Sequence, residues 1–186
     1  MTGLMRTLVA GVGHHDLCDC SIGPHLAQRL QAEPWPEGIV VEDLSYGPIH
    51  VVHRLNEEQP PFRRWVVVGA VRRGRAAGSV AAYRWDRQLP DVEEIQARVG
   101  EAVTGVVGLD NLLIVTTALG AAPPAIFVVE VEPELETMGD ELSQPVRRAL
   151  PRAAALVREA ALDARAGDAL PEAPLGGFAI TSESGS

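Results

Sequence analysis

The sequence predicts a single α/β domain, a three-layer αβα sandwich of the phosphorylase/hydrolase-like type around a mostly parallel sheet of about five strands. Short apolar runs alternate with helical patterns, which is typical of parallel strands joined by right-handed crossovers. The run 65–70 is apolar on both faces, as in a central strand covered by helices. The length of 186 residues and the hydrophobic fraction of 46% are sufficient for one domain with a sizeable core.

Strands are predicted where apolar or β-branched residues are bounded by glycine, proline or polar turns. In chain order these runs are 7–13, 39–43, 65–70, 79–85 and 125–131. The first ends in Gly11-Val12-Gly13, which suits a buried strand that opens into a loop. The run 79–85 is predicted as an edge or antiparallel strand.

Helices are predicted from apolar spacing and from their start and stop residues. The first begins with Ser21 as its cap and Pro24 in its first turn. The others are a short helix at 48–55, a mostly polar one at 92–99, an apolar one at 109–119 and an amphipathic closing helix from 146 to 160, ended by Gly167. The domain is therefore assigned to 1–166, and 167–186 is predicted to be a flexible tail.

Composition excludes several classes of function. The formal net charge of -9 repels a phosphate backbone, so no nucleic-acid partner is expected. No apolar run approaches the ~18 residues of a membrane span, and the N-terminus lacks a signal-peptide pattern. A cytoplasmic protein without membrane contact is therefore expected. Cys18 and Cys20, one residue apart, predict free thiols rather than a disulfide framework.

The five histidines and both cysteines are concentrated in the first 53 residues. Most of them follow the first strand, and His50 and His53 follow the second. Because the carboxyl ends of parallel strands meet at one edge, the two loops are expected to be neighbours. Imidazole and thiolate groups bind zinc, copper or nickel, so one hypothesis is a soft-metal site formed by His14, Cys18, Cys20 and His50.

Two alternatives to a metal site are open. In the first, the histidines are surface residues and the cysteines are small, partly buried hydrophobic residues. In the second, Cys20 is a nucleophile whose pKa is lowered by a helix N-terminus and His50 is its base, although no orienting third residue can be identified.

Other motifs are interpreted as structural. Gly11-Val12-Gly13 hints at a dinucleotide fingerprint, but Asp16 at the position that completes the spacing would repel a pyrophosphate, so no nucleotide site is predicted. The basic run 72–75 and the alternating glutamates of 130–136 are both expected to be solvated.

Several short motifs along the chain nevertheless occur in an order typical of one family. The first are Leu8-Val9-Ala10-Gly11-Val12-Gly13, then Asp19, Ile22 and Gly23. Further on they are Val41-Glu42-Asp43 before Gly47, Val66-Val67-Val68, Gly108-Leu109, the run 128–133 and Leu142-Ser143-Gln144-Pro145-Val146. This order, over roughly residues 6 to 162, resembles that of the hydrogenase maturation proteases.

The resemblance implies a cytoplasmic endopeptidase that removes a C-terminal tail from the large subunit of a nickel-iron hydrogenase and recognises the nickel of its substrate. In that family an acidic residue of the first loop, an aspartate after the third strand and a histidine before the apolar helix contact the metal. Cys20, Gly69 and Gly105 stand at these positions here, and His14 replaces a loop asparagine. Asp19, Asp43, Gly69 and Gly105 are expected to line the cleft, with Asp19 and Asp43 at its flanks.

Two functions are compatible with these departures. The chain is either a maturation endopeptidase whose metal contacts, to nickel of the substrate or to zinc, have moved to the histidine and cysteine cluster, or a catalytically inactive relative. The inactive relative would bind a hydrogenase large subunit or another maturation factor. The lost metal contacts favour the inactive relative.

Overall fold

The computed structural model describes residues 5–105 and 107–177. Within them a six-stranded sheet has the order β2-β1-β3-β5-β4-β6. Its strands are β1 (Thr7–Val12), β2 (Ile39–Asp43), β3 (Arg64–Ala70), β4 (Val80–Trp85), β5 (Ala125–Val131) and β6 (Glu172–Ala173). β1, β2, β3 and β5 are parallel, and β4 runs antiparallel to β5. The predicted mostly parallel α/β sheet is confirmed, whereas β6 was not predicted and removes β4 from the edge.

The helices cover both faces of the sheet. They are α1 (Ile22–Gln31), α2 (Pro48–Glu57), α3 (Val92–Val103), α4 (Leu109–Ala118), α5 (Gln144–Leu162) and α6 (Ala164–Asp168), and a 3-10 turn at Cys18–Ser21 precedes α1. None of these described helices combines the length and the apolar content needed to cross a membrane.

Alternation along the strands divides the core into two layers. Leu8 and Val67 point to the side covered by α2 and α4, where they join Leu112 in one buried cluster. Val9 and Val66 point to the opposite side, which α1 and α5 cover. Successive side chains of a strand face opposite sides of the sheet, so a strand with helices on both sides must be apolar throughout.

The C-terminal boundary of the domain requires correction. β6 pairs with β4, Ala173 is buried, and the backbone N–H of Asp86 donates to the carbonyl of Ala173 at 3.1 Å. Leu175 packs against the main core cluster. The segment 167–177 therefore belongs to the domain instead of beginning a flexible tail at 167, and the remainder of that predicted tail, 178–186, lies outside the described residues.

Candidate functional site

A cleft of about 390 Å³ opens at the carboxyl edge of the sheet. One wall is the loop between β1 and α1, which contributes His14 and Cys20. The opposite wall consists of the segment after β3, α3 and the beginning of α4, and Glu136 from the loop after β5 lies across one end. The edge predicted to hold the site therefore does form a concave surface.

Close approach of α1 to β1 positions the first wall. An added Cβ at Gly11 would lie 2.0 Å from the carbonyl oxygen of Gly23, and one at Gly13 would lie 1.9 Å from the carbonyl oxygen of Cys20. No side chain fits at these distances. The glycines of Gly11-Val12-Gly13 therefore have a packing role.

Asp19 anchors the first loop to the loop that follows β5. The residue is fully buried, and its carboxylate accepts hydrogen bonds from the backbone N–H groups of Glu134 and Leu135 at 2.8 Å and of Ser143 at 2.7 Å. Burial raises the pKa of Asp19, but the hydrogen bonds from Leu135, Ser143 and Glu134 outweigh that effect and lower the pKa overall. The prediction that Asp19 lines the cleft is wrong, because its side chain is consumed by these backbone groups.

Replacing Asp19 with asparagine is expected to lower the free energy of unfolding by about 2–3 kcal/mol at neutral pH, because buried N–H groups lose a charged acceptor. The pKa of Asp19 is lowered on folding, so its contribution is complete above the ordinary value of 3.8 and is lost as the pH falls through the folded value. The variant should lack this part of the acid dependence. Urea denaturation from neutral pH to about pH 3 measures both effects.

Asp16→Asn provides the control for this prediction, since Asp16 is exposed on the same loop. It should retain the stability and the acid dependence of the parent. If Asp19→Asn and Asp16→Asn have the same free energy of unfolding and the same pH dependence, the hydrogen bonds of Asp19 do not stabilise the fold.

The surroundings of Cys20 disfavour its thiolate form. Burial first, and then the carboxylates of Glu136 and Asp19, raise the pKa of Cys20 to about 11, and its Sγ lies 3.9 Å from Glu136 Oε1. The thiol is therefore protonated at neutral pH, contrary to the predicted lowering by a helix N-terminus. Cys18 is buried, and its Sγ lies 3.8 Å from Thr137 Oγ1.

The predicted metal ligands are not assembled into one site. His14 and Cys20 line the cleft, Cys18 is buried, and His50 is exposed in the first turn of α2. Across the described part of the chain, no group of three or more His, Cys, Asp or Glu side chains is arranged to hold a metal ion. The soft-metal site therefore gains no support from this geometry.

Asp43 lies in a second, neighbouring cleft of about 530 Å³ rather than in the first. Its Oδ2 is 2.9 Å from Nε2 of His15, and its Oδ1 accepts from the backbone N–H of Ser45 at 2.9 Å. His14 and His15, although adjacent in sequence, thus face different clefts. The prediction that the ends of β1, β2 and β3 share a single pocket needs this correction.

The positions of Gly69 and Gly105 offer no metal ligand. An added Cβ at Gly69 would lie 2.7 Å from the carbonyl oxygen of Val12, so a side chain there would displace β1. Gly105 is exposed in a turn with φ +84°, a left-handed conformation that favours glycine. Together with the protonated thiol of Cys20, these residues do not fit a bound metal.

A buried ionic network adjoins the cleft, and sequence reasoning missed it. Its members are Arg73, Arg75, Tyr83, Asp110, Glu130 and Glu132. Glu130 and Glu132 are each about 1% exposed, so the expectation that the glutamates 130–136 and the loop 72–75 are solvated is wrong for these members. Burial lowers the pKa of Arg73, but its hydrogen bonds to Asp110 and Glu130 raise the pKa by more than burial lowers it. The net pKa is therefore raised, and the guanidinium stays charged.

Proteins of known structure share the fold of this chain. No family model matches the sequence, and no curated protein matches it significantly. An endopeptidase from Escherichia coli superposes with a TM-score of 0.63 at 20% identity over 90% of this chain and 96% of that one. The hydrogenase maturating endopeptidase HybD of E. coli superposes with a TM-score of 0.60 at 21% identity, over 90% of this chain and 96% of that one.

A hydrogenase 2 maturation peptidase from a Thaumarchaeota archaeon gives a TM-score of 0.59 at 22% identity over 83% of this chain and 97% of that one. At these identities the likeness concerns the fold. The chain has the fold of the hydrogenase maturation proteases over nearly the full length of each of them, as the resemblance predicted.

Proposed function

We propose that this chain acts in the cytoplasm in the maturation of a nickel-iron hydrogenase, where its cleft receives the C-terminal tail of the large-subunit precursor. The observation that carries the proposal is the fold, which matches maturation peptidases over 83–90% of this chain and 96–97% of theirs. The order of motifs from the first strand to the last helix supports it. In the form implied by these relatives, the chain is an endopeptidase that removes the tail.

A second form of this function is binding of the tail without cleavage, as a factor for assembly of the large subunit. A specific observation favours it. The positions that contact the metal in the family are occupied by a protonated thiol at Cys20, a glycine without room for a side chain at Gly69 and an exposed glycine at Gly105. Nickel, if it takes part, arrives with the substrate.

The charged groups of the cleft are already paired within the chain. Nη2 of Arg72 lies 2.5 Å from Oε2 of Glu136, and Nη2 of Arg98 lies 3.1 Å from Oε1 of Glu94. Peptide hydrolysis needs a group that activates water, and His14 is the cleft residue best suited to that role because imidazole is the side chain most often used as a general base. The endopeptidase form therefore depends on His14.

The test is incubation of the purified chain with a large-subunit precursor, followed by intact-mass analysis and by elemental analysis for nickel and zinc. Tail removal that His14→Gln or Cys20→Ser abolishes, while His53→Gln on the exposed surface of α2 retains it, would establish the endopeptidase. Stable binding of the precursor without a mass change would establish the assembly factor. Failure to bind any large subunit would overturn the proposed function.

A further inference from the structure

One ion pair joins two separate elements of the wall opposite His14. Arg73 lies in the loop after β3, and Asp110 lies in the first turn of α4. The guanidinium donates to both carboxylate oxygens, with Nη1 at 2.8 Å from Oδ2 and Nη2 at 2.7 Å from Oδ1. This two-point geometry fixes orientation as well as distance. We call the pair the Arg73–Asp110 clasp.

Arg73 is also hydrogen-bonded to two glutamates, Glu130 at the end of β5 and Glu132 just after it. The carboxylate of Glu132 accepts hydrogen bonds from the backbone N–H groups of Arg73 at 2.9 Å and of Gly74 at 3.1 Å. The guanidinium also donates to Glu130 at 2.7 Å, and Tyr83 Oη donates to the same glutamate at 2.7 Å. Arg73 is therefore fixed to β5 whether or not Asp110 is charged.

The α4 side of the clasp begins at a glycine. The residue that precedes α4 is Gly108, which provides no side-chain cap. The turn before it contains Gly105, around which an added Cβ would meet no atom within 4 Å. Leu109 packs into the core, and Asp110 in the same turn forms the ion pair with Arg73. The same turn lines the cleft through 108–111.

We propose that Arg73 is a positioning residue: through Asp110 it sets the distance between the loop after β3 and the start of α4, and hence the shape of the cleft. The inference rests on the proposed function for the identity of the bound partner, the tail of a large subunit. The clasp is made entirely by this chain. The clasp itself therefore needs no metal ion, and a chelator should leave this pair intact.

Asp110→Asn tests the clasp without removing a buried partner, since Arg73 keeps Glu130. Hydrogen exchange of the free protein should become about tenfold faster in the first turn of α4, while the unfolding midpoint stays close to that of the parent. A synthetic peptide with the sequence of the precursor tail should bind to Asp110→Asn about tenfold more weakly than to the parent. Asp110→Glu should restore much of the slow exchange and much of the peptide affinity. EDTA should have no effect on exchange in the parent.

Glu33→Gln is the matched control. Glu33, in the turn after α1, forms an ion pair with Arg158 of α5, and α1 and α5 cover the other face of the sheet. Glu33→Gln should change neither the rate of hydrogen exchange in the first turn of α4 nor the affinity for the tail peptide. Unchanged exchange and binding in Asp110→Asn, or equal changes in Glu33→Gln, would overturn the clasp. If the parent binds no tail peptide, the proposed function fails, and the exchange measurement alone decides the positioning role.

Discussion

Alanine in place of Gly11 is expected to lower the free energy of unfolding by more than about 3 kcal/mol, which for a domain of this size leaves little folded protein. The added Cβ would lie 2.0 Å from the carbonyl oxygen and 2.6 Å from the carbonyl carbon of Gly23. Both contacts are with backbone, so no side-chain rotation relieves them, and α1 would have to move away from β1. Soluble yield and urea denaturation followed by circular dichroism measure the loss.

Gly100→Ala is the control for the same chemical change. Gly100 lies within α3, and an added Cβ there would meet nothing within 4 Å. Because alanine has the higher helix propensity, this variant should be more stable by about 0.5–1 kcal/mol. Parent-like stability of Gly11→Ala would show that α1 does not approach β1 as closely as the structure has it.

The fold could be predicted from the sequence where local pattern and burial agree. β3 is apolar on both faces, and the closing helix has regular apolar spacing, so their existence follows from periodicity. β6 does not follow from any local pattern. Glu172–Ala173 lie in a segment rich in glycine, proline and acidic residues, and they are ordered because the edge of β4 supplies backbone partners. Such a strand depends on tertiary contact, which composition does not report.

The candidate site was predictable only in part for the same reason. That His14 and Cys20 meet at the carboxyl edge follows from parallel strands. The burial of Asp19 depends on N–H groups more than a hundred residues away, at Glu134 and Leu135, and nothing near Asp19 in the sequence indicates it.

The ionic network did leave a signal in the sequence. Glu130 and Glu132 are two residues apart at the end of an apolar strand, so they share one face, and Arg73 and Arg75 repeat that spacing in the opposite charge. Matched spacing of opposite charges near a central strand could have predicted pairing. The prediction of solvated charges followed the general rule that charged residues are exposed. That rule also allows charged residues to be buried when they are paired.

Glu130→Ala is expected to destabilise the fold by about 3–5 kcal/mol, because breaking a buried ion pair leaves its partners without compensation. Arg75, only 5% exposed in its side chain, and Arg73 would both lose a carboxylate, and the buried hydroxyl of Tyr83 would lose its acceptor. Thermal and urea denaturation should give the same loss. Glu134→Ala, at an exposed position beyond the same strand, should stay within about 0.5 kcal/mol of the parent.

The pH dependence of Glu130 separates an ionic role from simple loss of packing. Burial raises the pKa of this carboxyl, but the hydrogen bonds from Arg73 and Tyr83 lower it more, so folding lowers the pKa below 4.5. The ionic contribution is therefore complete above that value and is lost as the pH falls through the folded pKa. The gap in stability between the parent and Glu130→Gln should be wide at neutral pH and should narrow on acidification. A gap that stays constant would mean that shape, rather than charge, makes Glu130 necessary.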